Sequence, residues 1–196
     1  TSSDHNKVNQ YQCNPVESNK SLGIFHTAKL IIRTLAEVKT SDLSITIIGC
    51  GWLGLPLGET LVKKNETVMG SVRSEQRFDE LKQLGLSPFQ LDLTQSSVIQ
   101  KDIVDATKHL VISLPPLFRD TPEKYRAALT ELLDQFPSET RVIFTSSTGI
   151  YPQEAGNFDE NFVFNSGQDS TILNVAEQVV RQSQKPHVLF RLGGLI

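Results

Sequence analysis

Cysteine is nearly missing from this chain: its 196 residues hold two, Cys13 and Cys50. Two cannot build a disulfide framework, and no Cys-x-x-Cys pair or His/Cys cluster has zinc-ligand spacing. The setting expected is therefore reducing and cytosolic, and no metal site is expected. An excess of either charge is missing too, with 19 Lys and Arg against 22 Asp and Glu and a net charge of −3. That balance offers no basic face, so neither nucleic acid nor a membrane surface is an expected partner. No apolar run approaches the roughly 18 residues of a membrane span, and the start lacks the charged-then-apolar order of a secretory signal. The length suits one domain plus an appendage, with a core large enough to stand without staples.

Residues 1–21 carry only four apolar side chains, Val8, Tyr11, Cys13 and Val16, among Asn, Gln, Ser and Lys. So few cannot offset the entropy of ordering the segment, which reads as a tail. Within residues 22–39, Ile24, Phe25, Ala28, Ile31, Ile32 and Leu35 recur at three- and four-residue steps. This stripe predicts an accessory amphipathic helix in segment 22–43, packed on the following domain, on a second copy of the chain or on another partner.

From residue 44 short apolar strands alternate with helical periods up to residue 196. Strands are expected at 45–48, 68–72, 88–91, 109–114, 142–145 and 188–192, and helices at 53–64, 75–84, 122–136 and 171–181. Ser74 and Thr121 stand at N-cap positions, the latter ahead of Pro122. Such alternation implies parallel strands joined by right-handed crossovers, and six of them make a doubly wound α/β sheet with helices on both faces, a Rossmann fold.

The first strand runs straight into Gly49-Cys50-Gly51-Trp52-Leu53-Gly54 and then a helix. In that context Gly49 permits a tight turn, Gly51 lets the backbone approach a diphosphate, and Gly54 lets the helix lie close to the strand. The diphosphate would rest on the free N–H groups and the positive dipole end of that helix, with Trp52 and Leu53 counted beside the glycines as cofactor-binding residues, although Trp52 also fits as plain loop packing. NAD-binding chains usually place a carboxylate about 20 residues after the first glycine. Here that place reads Gly70-Ser71-Val72-Arg73-Ser74. Without an acid, and with a guanidinium at Arg73 and hydroxyls at Ser71 and Ser74, NADP(H) is expected over NAD.

Ligands of such sheets bind at the carboxyl ends of the strands. Those ends read Asp92-Leu93, Leu114-Pro115-Pro116 and Thr145-Ser146-Ser147-Thr148-Gly149-Ile150-Tyr151. With the glycine loop, the Asp92-Leu93 pair and the stretch Phe144 to Tyr151, residues 44–196 resemble the extended and atypical short-chain dehydrogenase/reductases, which include nucleotide-sugar epimerases and dehydratases. The resemblance implies that Asp92 holds the adenine amino group and Leu93 flanks the ring. Leu114 and Pro115 would border the nicotinamide side, with Thr145 on the same rim, and Leu192 and Gly193 would line the nicotinamide. Ser147, four residues before Tyr151, matches the serine that hydrogen-bonds the reacting carbonyl or hydroxyl. Tyr151 is the second candidate catalytic residue, set against a packing role.

Two departures stand out. Aligned on Ala176-Glu177, the family's Tyr-x-x-x-Lys pair, whose lysine lowers the phenol pKa, falls on Asp169 and Leu173. The chain also stops at Ile196, where the family continues into its substrate-closing domain. The leading reading is the NADP(H)-binding domain of a reductase-, epimerase- or dehydratase-like protein with an unnamed small-molecule substrate, the given chain binding cofactor without useful turnover. The competing reading is a non-catalytic dinucleotide-binding or sensing module. A third, the nucleotide domain of a hydroxyacid or phosphogluconate-type dehydrogenase, is disfavoured by the Ser-Ser-Thr-Gly-Ile-Tyr stretch.

Overall fold

The computed structural model describes residues 28–35, 44–95, 98–118, 121–153, 156–159, 162 and 171–193. The expected tail 1–21, the flanks of the helix in 22–43, Asp169 and most of the loop before it lie outside these residues. Six strands, β1 (Ser44–Ile48), β2 (Thr67–Val72), β3 (Ser87–Gln90), β4 (His109–Ile112), β5 (Arg141–Ser147) and β6 (His187–Leu192), form one sheet in the order β3-β2-β1-β4-β5-β6. Every pairing is parallel. The order reverses between β1 and β4, and the crevice outside that switch point is where a doubly wound sheet takes its ligand.

Strand composition follows from burial on two faces. All four residues of β4, His-Leu-Val-Ile, are buried, which only a strand covered on both sides can be. On one face Ile45, Ile47, Val111, Ile143, Val188 and Phe190 share a core with α2 (Gly54–Val62) and α3 (Phe78–Gln83). On the other, Ile48, Leu110, Ile112, Val142 and Phe144 meet α4 (Lys101–Ala106), α5 (Pro122–Asp134) and α6 (Ile172–Gln182). Helix α5 turns Tyr125, Leu129, Leu132 and Leu133 inward, each buried side chain contributing about 1.5–3 kcal/mol.

Helical residues 28–35, here α1, join the first core: Ala28, Ile31, Ile32 and Leu35 are all buried. The described part of the stripe is thus covered by the chain's own sheet.

Three local expectations change. Helix α4 went unseen because Ile103 and Val104 are its only large apolar residues, too few to show a period. The helix expected at 75–84 opens as a 3-10 turn, Glu75–Arg77, with Ser74 Oγ accepting the Gln76 N–H, before α3 begins. Thr121 makes no side-chain cap bond, and Pro122 alone marks the start of α5.

His109 carries a pH signature. Its Nδ1 is buried and has no hydrogen-bond partner among the described residues. Burial, with Arg141 and Lys108 nearby, pushes its pKa down from 6.5 to about 4. Above the unfolded value both states are neutral and nothing is lost. As pH falls from there toward 4 only the unfolded chain takes up the proton, so stability falls, by up to about 3 kcal/mol. Urea midpoints at pH 7 and pH 4.5 should differ less in His109→Gln than in the unaltered chain. Equal differences would remove His109 from the acid response.

Candidate functional site

The glycine loop sits at the switch point and is held from beneath. Ser71 Oγ accepts the Gly49 N–H at 2.9 Å, and the Ser71 carbonyl accepts the Cys50 N–H at 2.9 Å. Gly49 has φ +94°, and a Cβ there would run into the Ser113 carbonyl oxygen, so only glycine fits. A Cβ on Gly54 would strike the Gly49 carbonyl oxygen, which is the close approach of helix to loop that the motif requires. Gly51 differs from both: a Cβ added to it meets nothing within 4 Å. Its glycine answers to nothing among the described residues.

Helix α2 begins without a side-chain cap; the Gly51 and Leu53 carbonyls take the Leu55 and Leu57 N–H groups and Pro56 has none, which leaves the Gly54 N–H as the first-turn donor without a partner among the described residues. Leu53 is buried in the core and can offer a ligand only its backbone, whereas the Trp52 side chain is 48% exposed beside the loop. Cys50 is not a nucleophile here, since burial, partly countered by Arg77, pushes its thiol up to about 12.

Ser71 is 2% exposed and braces the loop instead of standing on the rim, so the expectation of a free hydroxyl there is corrected. The rim beyond β2 is Arg73, exposed, and Ser74, half-buried. Asp92 follows β3 and lies near Arg73. Its Oδ1 accepts the Thr94 N–H at 3.0 Å and the Thr94 hydroxyl at 2.7 Å, bonds that hold its carboxyl below the usual carboxylate range. Leu93 and Leu114 are partly buried against the second core, and Pro115 is exposed after β4. Thr145 Oγ1 donates to the Ile112 carbonyl at 3.1 Å, tying the ends of β4 and β5.

Ser147 closes β5, where its Oγ accepts the Gly149 N–H at 3.1 Å and caps the 3-10 turn Thr148–Ile150. Across the β5–β6 pair it faces Leu192, buried at 6%, and Gly193 follows beside Thr148. Ser147, Leu192 and Gly193 therefore share one strand-end corner. Tyr151 turns elsewhere. Its hydroxyl donates to the Asp159 carbonyl at 2.9 Å and accepts from Arg191 Nη1 at 2.9 Å, while its ring stacks on Phe158 at 5.7 Å and meets Phe162 edge-on. A phenol so engaged packs the loop after β5, the role set beside the catalytic one for this residue.

Sequence reading missed two groups. Arg77 Nη1 donates to the Cys50 carbonyl of the glycine loop at 2.9 Å. Arg191 and Glu177 form a two-point ion pair between β6 and α6, with Nε to Oε1 at 3.0 Å and Nη2 to Oε2 at 2.8 Å. Burial opposes the Arg191 charge, but its bonds to Glu177 and Tyr151 win and its pKa is raised. Among the described residues no group of His, Cys, Asp and Glu could hold a metal ion, and no helix is long and apolar enough to cross a membrane.

A provisionally assigned NAD-dependent epimerase/dehydratase from Bacillus halodurans superposes with a TM-score of 0.56 at 17% identity, covering 78% of this chain and 71% of that one. Vestitone reductase from alfalfa gives 0.56 at 16% identity, covering 74% and 55%. The chain shares their Rossmann fold. A dipicolinate synthase from Bacillus halodurans gives 0.54 at 14% identity, with 90% of this chain and 49% of that one covered. In sequence, Escherichia coli protein YeeZ is 32% identical over 164 residues, 78% of this chain and 58% of YeeZ. The chain thus spans about 58% of the length of the curated relatives it matches. No protein-family model matches it.

Proposed function

We propose that this chain is the NADP(H)-binding domain of a reductase-, epimerase- or dehydratase-like protein of the extended short-chain type. The observation that carries the reading is the loop Gly49–Gly54 at the β1/β4 switch point, braced by Ser71 and open at Gly51. A diphosphate laid there would meet the Gly54 N–H at the start of α2 and the positive end of its dipole. Arg73, exposed at the end of β2 where an NAD site would offer a carboxylate, favours the 2′-phosphate of NADP(H). Reactivity centres on Ser147, whose hydroxyl lies at the corner with Leu192 and Gly193 and would polarise a carbonyl or hydroxyl of a small-molecule substrate.

The second reading, a binding or sensing module without turnover, is favoured by Leu173, an aliphatic side chain where the reductases' lysine would stand, and by the commitment of the Tyr151 hydroxyl. Without a positioned acid the proton-transfer step loses about a hundredfold or more.

The test is a titration of nicotinamide fluorescence. NADPH should bind more tightly than NADH, and Arg73→Glu, which sets a carboxylate against the 2′-phosphate, should weaken NADPH by about tenfold or more while NADH changes little. Equal weakening of the two takes the phosphate away from Arg73, and absence of binding by the unaltered chain overturns the reading.

A further inference from the structure

Arg77 ends the 3-10 turn after β2, and its guanidinium reaches back to the glycine loop. Nη1 donates to the Cys50 carbonyl at 2.9 Å, and Nε and Nη2 both meet Glu80 Oε2 at 2.8 Å. A guanidinium has five N–H donors. Two donate hydrogen bonds, so Nη1 keeps one donor and Nη2, which meets Glu80 as an ion pair only, keeps its donors for another acceptor, and the side chain is 42% exposed. Arg73, four residues earlier, makes no hydrogen bond or ion pair through its guanidinium among the described residues. Arg77 sits where β2 meets the loop and Arg73 just past the end of β2, near Asp92, the region that in sheets of this order faces the ribose of a dinucleotide.

We infer that Arg77 is a second phosphate-reading residue of this subsite and that Glu80 sets its strength by competing for the guanidinium. The inference rests on the dinucleotide reading above and adds a determinant to it. The bond to Cys50 holds Arg77 at the loop before any ligand arrives, so little ordering is needed to engage a dianion. Its pair with Glu80 is exposed on both sides, 42% and 48%, and such pairs are weak enough to exchange. A ribose 2′-phosphate offers charge-assisted bonds to the spare donors but is repelled by the Glu80 carboxylate, whereas a ribose with a free 2′-hydroxyl leaves the Arg77–Glu80 pair as it stands.

The full chain would be titrated with NADPH and NADH, and with 2′,5′-ADP and 5′-ADP as probes that lack nicotinamide. Glu80→Gln should tighten NADPH and 2′,5′-ADP by about threefold to tenfold and leave NADH and 5′-ADP unchanged. Arg77→Gln should lower the preference for the 2′-phosphate by about tenfold, and Glu80→Gln added to it should gain less than it does in the unaltered chain, since only the direct repulsion is then relieved. Arg77→Lys, which keeps the charge but not the fork, should restore part of the preference. If Glu80→Gln leaves the preference unmoved while Arg73→Glu abolishes it, the inference fails and the cofactor reading stands. If Arg77→Gln weakens all four ligands alike, Arg77 only braces the loop and the inference fails. If the unaltered chain binds none of them, the cofactor reading fails and takes this one with it.

Discussion

Gly51→Val should leave the thermal unfolding of the chain where it is and remove dinucleotide binding. The two halves of that result come from one measurement of space: a Cβ on Gly51 has no neighbour within 4 Å, and the residue is not at positive φ. An exposed position free of strain and contacts tolerates substitution within about 0.5 kcal/mol. The valine methyls would instead fill the volume over the loop that a diphosphate has to enter. Displacing it forfeits charge-assisted bonds worth about 1.5–3 kcal/mol each, and losing two lowers affinity by at least about a hundredfold. Gly54→Ala is the contrasting control, because its Cβ is driven onto the Gly49 carbonyl and the chain has to shift. That variant should lose about 1–3 kcal/mol of stability along with binding. Calorimetry and NADPH fluorescence on the same samples decide it. A Gly51→Val chain that binds NADPH like the parent would mean that nothing lies over the loop.

The contrast among these glycines shows what a sequence can carry. A strand, a glycine loop and a helix in succession are local, and the spacing of Gly49, Gly51 and Gly54 prescribes their arrangement whatever surrounds them. A parallel, doubly wound sheet was legible for the same reason, since alternation with right-handed crossovers leaves few topologies. Ser71 was misread because Ser71 and Val72 are buried together, and in a strand covered on both faces alternation no longer distinguishes rim from support. For residues 28–35 periodicity exposed the apolar stripe, but a period cannot say what covers it. The sheet face does.

Groups that act across the fold were invisible for a different reason. Arg77 reaches the glycine loop only because the 3-10 turn Glu75–Arg77 bends the chain back past the end of β2. Read in the sequence alone, an arginine three residues before a glutamate is a routine surface pair. Arg191 and Glu177 are separated by the whole turn from α6 to β6, and nothing in either segment announces the partner.

That pair supports the second large effect. Glu177 is 1% exposed, and it holds two nitrogens of Arg191, whose third nitrogen reaches the Tyr151 hydroxyl. Replacing Glu177 by leucine leaves the guanidinium largely buried without its counter-charge. Breaking such a pair from one side costs about 3–5 kcal/mol, a large share of the roughly 5–15 kcal/mol that holds a domain together. Arg181 lies 3.7 Å from the same carboxylate but is 45% exposed, so water compensates for most of its loss. Removing both buried charges in a Glu177→Leu/Arg191→Leu double variant should recover part of the deficit, since an apolar pair carries no unpaired ion. The site should feel the single change as well, because Arg191 precedes Leu192 and Gly193 at the corner shared with Ser147. Urea unfolding of the two single variants and the double gives the coupling. A Glu177→Leu loss below about 1 kcal/mol, the range of an exposed pair, would show that the contact does not clamp α6 to β6.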